Sequence, residues 1–381
     1  MLAILFWLAV LFIVYTYLLY PLVLFLLTRG RKPPSYITPN EWPRASIIIA
    51  AHNEEAIIRQ KIENTLGLDY PCDALEIIVA SDGSTDLTNQ IVEEYFDRGV
   101  RLYALEEQGG KTRAQNKACE QIQNNILVFS DANSMYDRHA LKSLIRPFSD
   151  DNIGCVCGEL RYVNPSGHGV GKGEGLYWRY EQFLKRRESL LSSALGANGS
   201  IYALRRELFE DLDPDIISDF VMPIRVWMQG FRVVYESSAI AKEYTGDTFL
   251  KEFQRRTRII ARSLFGLWSQ RSVLNLFKHR AFAFQMISHK LMRWLVPLAL
   301  LLIFGLNGFL VGNVYYYSLW ILQCVFYGLA LGGSIMPRTV GKYALFYIPA
   351  HFCAMNTGAF LGLLRFLTGR RYRAWQPMSR N

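Results

Sequence analysis

The chain has 381 residues, of which 51% are hydrophobic, and its formal net charge is +9. This length and composition exclude a disordered chain, a collagen-like repeat and a small disulfide scaffold, and they predict more than one structural unit. The mean hydropathy of +0.09 does not by itself indicate a membrane protein.

Charged residues are absent from three long windows. Residues 1–28 contain no Asp, Glu, Lys or Arg, and neither do residues 295–337 or 343–364. Because a helix needs about 20 apolar residues to cross a bilayer, the first window predicts one span and the second predicts two, with a turn at Gly312–Asn313. The third window is the weakest candidate, since it contains proline, histidine and asparagine. We expect the first window to be an uncleaved anchor, because its apolar run is longer than that of a signal peptide.

The positive charge is concentrated beside these windows. Residues 29–250 carry a net charge of −7, whereas residues 251–293 carry +9. Lys and Arg beside a span mark the cytoplasmic side, so the basic residues at 29, 31 and 32 predict a cytoplasmic domain and an external N-terminus. Three later spans would leave the C-terminus outside, but the arginines at 370, 371 and 373 favour the inside. We therefore expect one late segment to be re-entrant or interfacial.

The chain is thus predicted to be a multi-pass protein of the inner or plasma membrane. Its expected parts are an N-terminal span (1–28), a cytoplasmic domain (29–250), basic amphipathic interface helices (251–293), C-terminal membrane segments (294–367) and a basic tail (368–381). The basic segment before the C-terminal spans is expected to contact anionic membrane lipids.

The predicted cytoplasmic domain alternates between apolar runs and helical patterns. Apolar runs at 46–51, 75–82, 101–105 and 125–133 predict strands, with helices ending near 68, lying near 85–97 and running from 111 to 123. Continuous apolar strands separated by helices predict a parallel sheet covered on both faces. Ligands of such sheets bind beyond the carboxyl ends of the strands.

Acidic or amide side chains follow three of these strands. They are Asn53 with Glu54, Asp82 with Asp86, and Asp131 with Asn133. Any one of them alone is compatible with a helix cap. Three together favour a nucleotide site, and Asp131 suits a Mg²⁺ ion, which is usually held by one or two carboxylates plus substrate phosphates.

The order of these motifs resembles that of membrane-embedded family 2 glycosyltransferases with the GT-A fold. This group includes hyaluronan, chitin-oligosaccharide and cellulose synthases and many exopolysaccharide transferases. The resemblance implies a Rossmann-like α/β GT-A domain with a mostly parallel sheet, joined to transmembrane α-helices. It also implies a hexosyltransferase that uses Mg²⁺ or Mn²⁺ and a nucleotide-sugar donor, with UDP expected as the nucleotide.

The resemblance assigns roles on the donor side residue by residue. Asn53 and Glu54 of AHNEE are expected at the first nucleotide-binding strand end, with Glu54 near the uridine. Asp82 of SDGSTD is expected to contact the base or ribose. Lys111, which opens a helix after two glycines, is expected near the donor.

The metal and the general base are implied in the same way. Asp131 of FSDAN is expected to bind the metal with Asn133, which is a weaker ligand than the second aspartate of the family's motif. Asp219 occupies the position of the family's general base, although a lone aspartate there is also compatible with a helix N-cap. Together they imply a single displacement with inversion of configuration.

On the acceptor side, the loop with Gly196, Asn198 and Gly199 resembles the acceptor loop of the family. Arg255 and Arg258 are the nearest match to the QxxRW motif of the synthases, but isoleucine replaces the tryptophan. In polymerising members that tryptophan stacks on the acceptor sugar. Its loss favours limited or single addition over processive synthesis.

The leading hypothesis is sugar transfer to a saccharide or lipid-linked acceptor at the inner membrane face, in polysaccharide or glycolipid biosynthesis. One alternative is a processive polysaccharide synthase with its own channel, for which polysaccharide-export proteins are expected partners. Another is a nucleotide-binding transporter or receptor without transferase activity, which the absence of charges from the predicted spans disfavours. Nucleic-acid binding is not expected, because the predicted globular part is net negative.

Overall fold

The computed structural model describes residues 1–163, 169–244, 249–336 and 343–371, with side chains omitted at 169–177 and 249–252. The strands are β1 Ala45–Ala51, β2 Leu75–Ser81, β3 Val100–Ala104, β4 Ile126–Asp131, β5 Met135–Tyr136, β6 Ile153–Val163, β7 Tyr202–Arg205 and β8 Arg232–Tyr244. The helices are α1 Leu2–Leu27, α2 Ile58–Leu66, α3 Thr88–Glu93, α4 Lys111–Glu120, α5 Ala140–Ile145, α6 Gly169–Leu191, α7 Ser218–Met228, α8 Phe249–Ser269, α9 Leu276–Leu310, α10 Val314–Ile335 and α11 Ala344–Leu367.

In the described part of the chain, the eight strands form one sheet in the order β3-β2-β1-β4-β7-β6-β8-β5. Strands β3, β2, β1 and β4 are parallel, so their carboxyl ends meet at one edge. Strand β7 is antiparallel to both β4 and β6, whereas β8 is parallel to β6. The sheet is therefore mixed, and its parallel half is the part that the apolar runs predicted.

Strand β1 is buried on both faces, which explains its uninterrupted apolar sequence. Ile47 and Ile49 belong to the same buried cluster as Ile58 of α2. Ile48 belongs to the opposite cluster, together with Ala114 of α4. Because successive side chains in a strand point to opposite faces, apolar residues are needed at every position when helices cover both sides.

Within the described ranges, three helices are long and apolar enough to cross a membrane, namely α1, α9 and α10. Helix α9 ends at Leu310 and α10 begins at Val314, in agreement with the predicted turn. The side chain of Asn313 caps α10 by accepting a hydrogen bond from the Tyr315 amide at 2.9 Å. Helix α9 begins well before the uncharged window, so charged residues that precede the window lie on the same helix as the span.

Helix α11 covers the third uncharged window but is not among these three helices. It packs against α8, where a Cβ at Gly362 would lie 3.0 Å from the Cβ of Ile260. Just beyond α11, the Arg371 guanidinium lies 3.4 Å from the Asp213 carboxylate of the sheet domain. If only α1, α9 and α10 cross the membrane, α11 lies on the same side as this domain. The C-terminal arginines then lie on that side too, as their charge predicts. The tail residues 372–381 lie outside the described residues.

Helix α8 is the predicted basic amphipathic segment. Its apolar residues Ile260, Leu264 and Leu267 lie in the same buried cluster as Phe220 of α7. Its apolar face therefore packs against the protein rather than standing free. Trp268, near the end of the helix, is 60% exposed.

Helix α6 joins the sheet domain to two of the candidate spans through Glu188. The Tyr20 hydroxyl of α1 donates to the Glu188 carboxylate at 2.7 Å, and Nδ1 of His289 in α9 lies 2.6 Å from the same oxygen. Gln285 of α9 also donates to the Glu188 carbonyl at 3.0 Å. Glu188 is fully buried, and these partners take the place of water at one carboxylate oxygen and at the carbonyl.

The contact between α10 and α11 yields a testable prediction. A Cβ at Gly333 would lie 2.7 Å from the carbonyl oxygen of Phe346. We expect Gly333→Leu to lower the melting temperature of the detergent-solubilised protein, with a loss of about 1–3 kcal/mol from overpacking. Gly328→Leu is the matched control on the same helix, because nothing lies within 4 Å of a Cβ there. Equal melting temperatures for the two variants would contradict this packing.

Candidate active site

A cavity of about 810 Å³ opens at the carboxyl edge of the parallel strands and extends to the middle of α9 and to α11. All the site residues predicted from the sequence line it except Asn53 and Asp82. The predicted residues in its wall are Glu54, Lys111, Asp131, Asn133, Gly196, Asn198, Gly199, Asp219, Arg255 and Arg258. The structure thus brings the predicted donor, metal, base and acceptor residues to one place.

Asn53 links the loops that follow β1 and β2. Its backbone is left-handed, with φ at 53°, a conformation that asparagine adopts more readily than most residues. Its Oδ1 accepts a hydrogen bond from the Thr85 amide at 2.8 Å, while the Glu54 amide donates to the Thr88 hydroxyl at 2.8 Å. These bonds fix the two loops against each other and leave Glu54 at the cavity wall.

Asp82 holds the glycine loop that precedes Lys111. Its two carboxylate oxygens accept hydrogen bonds from the amides of Gly109 and Gly110, each at 2.8 Å. The side chain is fully buried, and Gly110 has a φ of 95° that disfavours any other residue. The expected contact of Asp82 with base or ribose stays a prediction, because both oxygens are occupied by backbone donors in this structure.

Lys111 forms an ion pair with Asp131 at the end of β4. Its Nζ donates to Oδ1 of Asp131, and the two side chains are 18% and 24% exposed. Burial opposes the charged form of this lysine, but Asp131 and then Asp219 attract it, and the pKa of Lys111 is raised. The ammonium group is therefore charged at neutral pH and lies between two carboxylates.

Asp219 stands in the first turn of α7 but does not cap that helix. The N-cap position is Ile217, and Oδ2 of Asp219 instead accepts a hydrogen bond from the Gly199 amide at 2.8 Å. A Cβ at Gly199 would lie 2.9 Å from this oxygen and 2.9 Å from Nζ of Lys111, so glycine is required there. Burial raises the pKa of Asp219, against the opposing effect of Lys111, which makes its carboxylate a stronger base.

The residues at the end of β4 fit a divalent cation. Asp131 supplies a carboxylate and Asn133 an amide oxygen at the same cavity wall, and hard cations take oxygen ligands of this kind. Lys111 already places one positive charge on Asp131. Among the described residues no group of three or more His, Cys, Asp or Glu could hold a metal. A bound Mg²⁺ or Mn²⁺ would therefore need oxygens from the donor diphosphate and water as well.

Two residues outside the sequence motifs hold the loop at 196–200 in place. Glu243 of β8 is buried and accepts hydrogen bonds from the hydroxyls of Ser134 and Ser200. Lys185 of α6 donates to the side chain of Asn198 and to the Ala197 carbonyl. An acidic residue in a strand and a lysine in a helix carry no local signal of such partners, which come from distant parts of the chain.

The basic residues of α8 have different tasks. Arg262, also missed from the sequence, donates to the carbonyls of Pro214 and Ile216 at 2.8 Å each and so holds the loop that leads to Asp219. Arg255 donates to the Tyr162 hydroxyl at 3.2 Å. Arg258 lines the cavity together with Ile259, the residue that stands where the synthases carry tryptophan.

A mixed sheet with carboxylates at the ends of its parallel strands defines a domain of the GT-A type. Residues 46–213 match the family model Glycosyl transferase family 2. This segment of the chain is therefore similar to a family 2 glycosyltransferase domain.

Two curated relatives support this assignment. The chain is 27% identical over 240 residues to "Probable glycosyltransferase YdaM" of Bacillus subtilis, covering 57% of this chain and 54% of that protein. It is 25% identical over 249 residues to "Poly-beta-1,6-N-acetyl-D-glucosamine synthase" of Staphylococcus aureus, covering 64% and 56%. The chain spans about half the length of these curated relatives.

A solved structure extends the likeness to almost the whole chain. It is the mannosyltransferase PcManGT from Pyrobaculum calidifontis, in complex with GDP-Man and Mn²⁺. The TM-score is 0.73 at 19% sequence identity, and the match covers 96% of this chain and 99% of the other. At this identity the likeness establishes the fold, including the arrangement of helices around the sheet.

The buried carboxylate of Asp82 gives a second prediction. In Asp82→Asn one of the two backbone amides would face an amide NH₂ instead of an acceptor. This would lower the free energy of unfolding by about 1–3 kcal/mol. We expect a lower melting temperature for this variant. Asp73→Asn, at an exposed position in the turn before β2, is the control and should melt like the unaltered protein. Equal melting temperatures for the two variants would show that Asp82 does not hold the glycine loop.

Proposed function

We propose that the protein is an inverting glycosyltransferase at the cytoplasmic face of the inner or plasma membrane. It would move a sugar from a nucleotide donor, with UDP preferred, to a saccharide or lipid-linked acceptor in polysaccharide or glycolipid synthesis. The observation that carries the proposal is the convergence of Asp131, Lys111 and Asp219 on one cavity. The names of the relatives support transferase chemistry, and the GDP-Man held by the structural neighbour makes guanosine nucleotides a necessary arm of any donor test.

The residues have complementary tasks in this reaction. Asp219 would accept the proton of an acceptor hydroxyl as its oxygen attacks the anomeric carbon from the side opposite the diphosphate. The Gly199 amide keeps this carboxylate oriented. Lys111 would place its charge near the diphosphate, whose negative charge grows as it departs. When bound at Asp131 and Asn133, a divalent cation would supply further charge neutralisation to the leaving group.

A processive synthase with its own channel is the second candidate. It is supported by the synthase name of the Staphylococcus aureus relative. Isoleucine at 259, in place of an aromatic residue that could hold a growing chain, favours limited addition instead. Sizing the product made from a labelled donor separates the two candidates, because a synthase yields a long polymer. Polysaccharide-export proteins would be partners only in the synthase case.

The role of Asp219 is tested by Asp219→Asn. We expect the rate of sugar transfer to fall by at least about 100-fold in this variant, because an amide cannot accept the hydroxyl proton. Donor binding, measured by calorimetry, should remain close to that of the unaltered protein. Asp215→Asn is the matched control, since Asp215 lies nearby but contacts Arg371 rather than the acceptor loop. Unaltered turnover in Asp219→Asn would remove it from the mechanism.

The metal site is tested by Asn133→Asp, which restores a second carboxylate. Because carboxylates bind hard cations more strongly than amides do, we expect half-maximal activity at a lower Mn²⁺ or Mg²⁺ concentration. The rate of nucleoside diphosphate release is followed while each metal is titrated into chelator-treated protein. The same metal dependence in both proteins, or full activity with chelator alone, would show that position 133 faces no catalytic metal.

A further inference from the structure

We infer that the acceptor is a saccharide carried on a lipid phosphate or pyrophosphate, with its anionic group bound beside Lys290 and Arg293 in the middle of α9. This inference rests on the proposed function and names the chemical class of its acceptor. Three observations support it: the distribution of charge in the cavity, the level of these two cations relative to the membrane, and an apolar wall that a soluble saccharide does not need.

The described charges in the cavity wall are unevenly distributed. At the sheet end they are Glu54, Lys111, Asp131, Asp219 and Glu243, with a net charge of −3. On α6, α8 and α9 they are Glu181, Lys185, Arg255, Arg256, Arg258, Arg262, Lys290 and Arg293, with a net charge of +6. The metal and the donor diphosphate bring opposite charges to the sheet end. The positive end therefore suits a second anion, one that belongs to the acceptor.

Lys290 and Arg293 lie at the level of a lipid headgroup. Arg293 directly precedes the apolar run of α9, and basic residues at the end of a span lie at the membrane surface, beside lipid phosphates. Arg293 contacts the Glu181 carboxylate, and Nζ of Lys290 lies 3.8 Å from its other oxygen. The Glu181 carboxylate thus positions both cations. The side chain of Arg293 is 15% exposed and that of Lys290 is 19% exposed.

The membrane-side helices add apolar residues to the wall, beside His351 and Asn356 of α11. Tyr347, Ile348, Phe352, Met355 and Ala359 of α11 line the cavity, as does Tyr17 of α1. From Tyr347 to Ala359 the helix rises by about 18 Å, at 1.5 Å per residue. A saccharide bound at Asp219 and a phosphate at the cations would leave this surface for a hydrocarbon tail.

The bonds made and broken are the same as in the proposed function. The oxygen of an acceptor sugar hydroxyl forms a bond to the anomeric carbon of the donor sugar. The bond from that carbon to the donor's phosphate oxygen breaks, and its electron pair leaves with the nucleoside diphosphate. Asp219 takes the hydroxyl proton. The phosphate of the acceptor lipid takes no part in bond making and serves only for binding.

The test compares four acceptors that carry the same sugar. They are N-acetylglucosamine on farnesyl pyrophosphate, on a neutral farnesyl group, on methyl pyrophosphate and as the free sugar, with glucose and mannose series in parallel. The full chain is assayed in detergent with a donor chosen from UDP- and GDP-sugars by nucleoside diphosphate release. We expect kcat/KM for the farnesyl pyrophosphate acceptor to exceed the other three by at least about 10-fold.

Matched variants locate the anion site. Lys290→Gln should raise KM for the farnesyl pyrophosphate acceptor by about 10-fold and leave its kcat unchanged. The KM for the neutral farnesyl acceptor should also stay unchanged. Lys278→Gln removes a charge from the same helix outside the cavity wall and should change neither value. Glu181→Gln removes the acid that neutralises the cations and should lower KM for the pyrophosphate acceptor, a gain that unfolding cannot produce.

Binding is measured independently of turnover by native mass spectrometry of the full chain. The farnesyl pyrophosphate acceptor should be retained by the unaltered protein and lost from Lys290→Gln. Equal use of neutral and pyrophosphate lipids, or extension of a water-soluble acidic saccharide without any lipid, would overturn the inference. So would Glu181→Gln with an unaltered melting temperature and no gain in binding. Failure to cleave every donor would refute the proposed function itself, whereas donor cleavage without lipid preference refutes only the inference.

Discussion

The buried carboxylate of Glu188 holds the sugar-transfer domain against its membrane helices. It joins Tyr20 of the first candidate span to His289 of the second through one side chain of α6. Loss of the Glu188 side chain would leave both buried partners without this acceptor, at a cost of about 1–3 kcal/mol each in the free energy of unfolding. The same helix carries Glu181 two turns earlier, where it contacts the cations in the middle of α9. The position of α6 therefore determines how the membrane helices contribute to the cavity.

Carboxylates also organise the loops at the sheet edge. Asp82 holds the glycines before Lys111, and Asp219 holds Gly199, so each acidic side chain fixes a backbone segment that has no regular structure of its own. Lys111 then lies between Asp131 and the acceptor loop. The site is thus preorganised by bonds between loops, and a change in one loop is transmitted to the next.

Sequence periodicity was sufficient for the parallel half of the sheet, since buried strands need apolar residues on both faces. The polar strand ends predicted the position of Asp131, and the family resemblance placed Asp219 in the same site. It could not predict the antiparallel β7, the tasks of Glu243 and Arg262, or the backbone partners of Asp82. These depend on contacts between residues far apart in the chain. The first part of α9 was predicted as a separate interface helix, because charged residues precede the apolar run.

Helix α11 is the last of the described helices to leave the ribosome, yet it forms one wall of the cavity. The sheet and its polar strand ends are complete once β8 has been made, well before this wall exists. A nascent chain therefore has the donor half of its site first, open to water. The α11 wall is added only after α9 and α10 have been synthesised and are available for insertion. The order of synthesis thus couples completion of the site to arrival in the membrane.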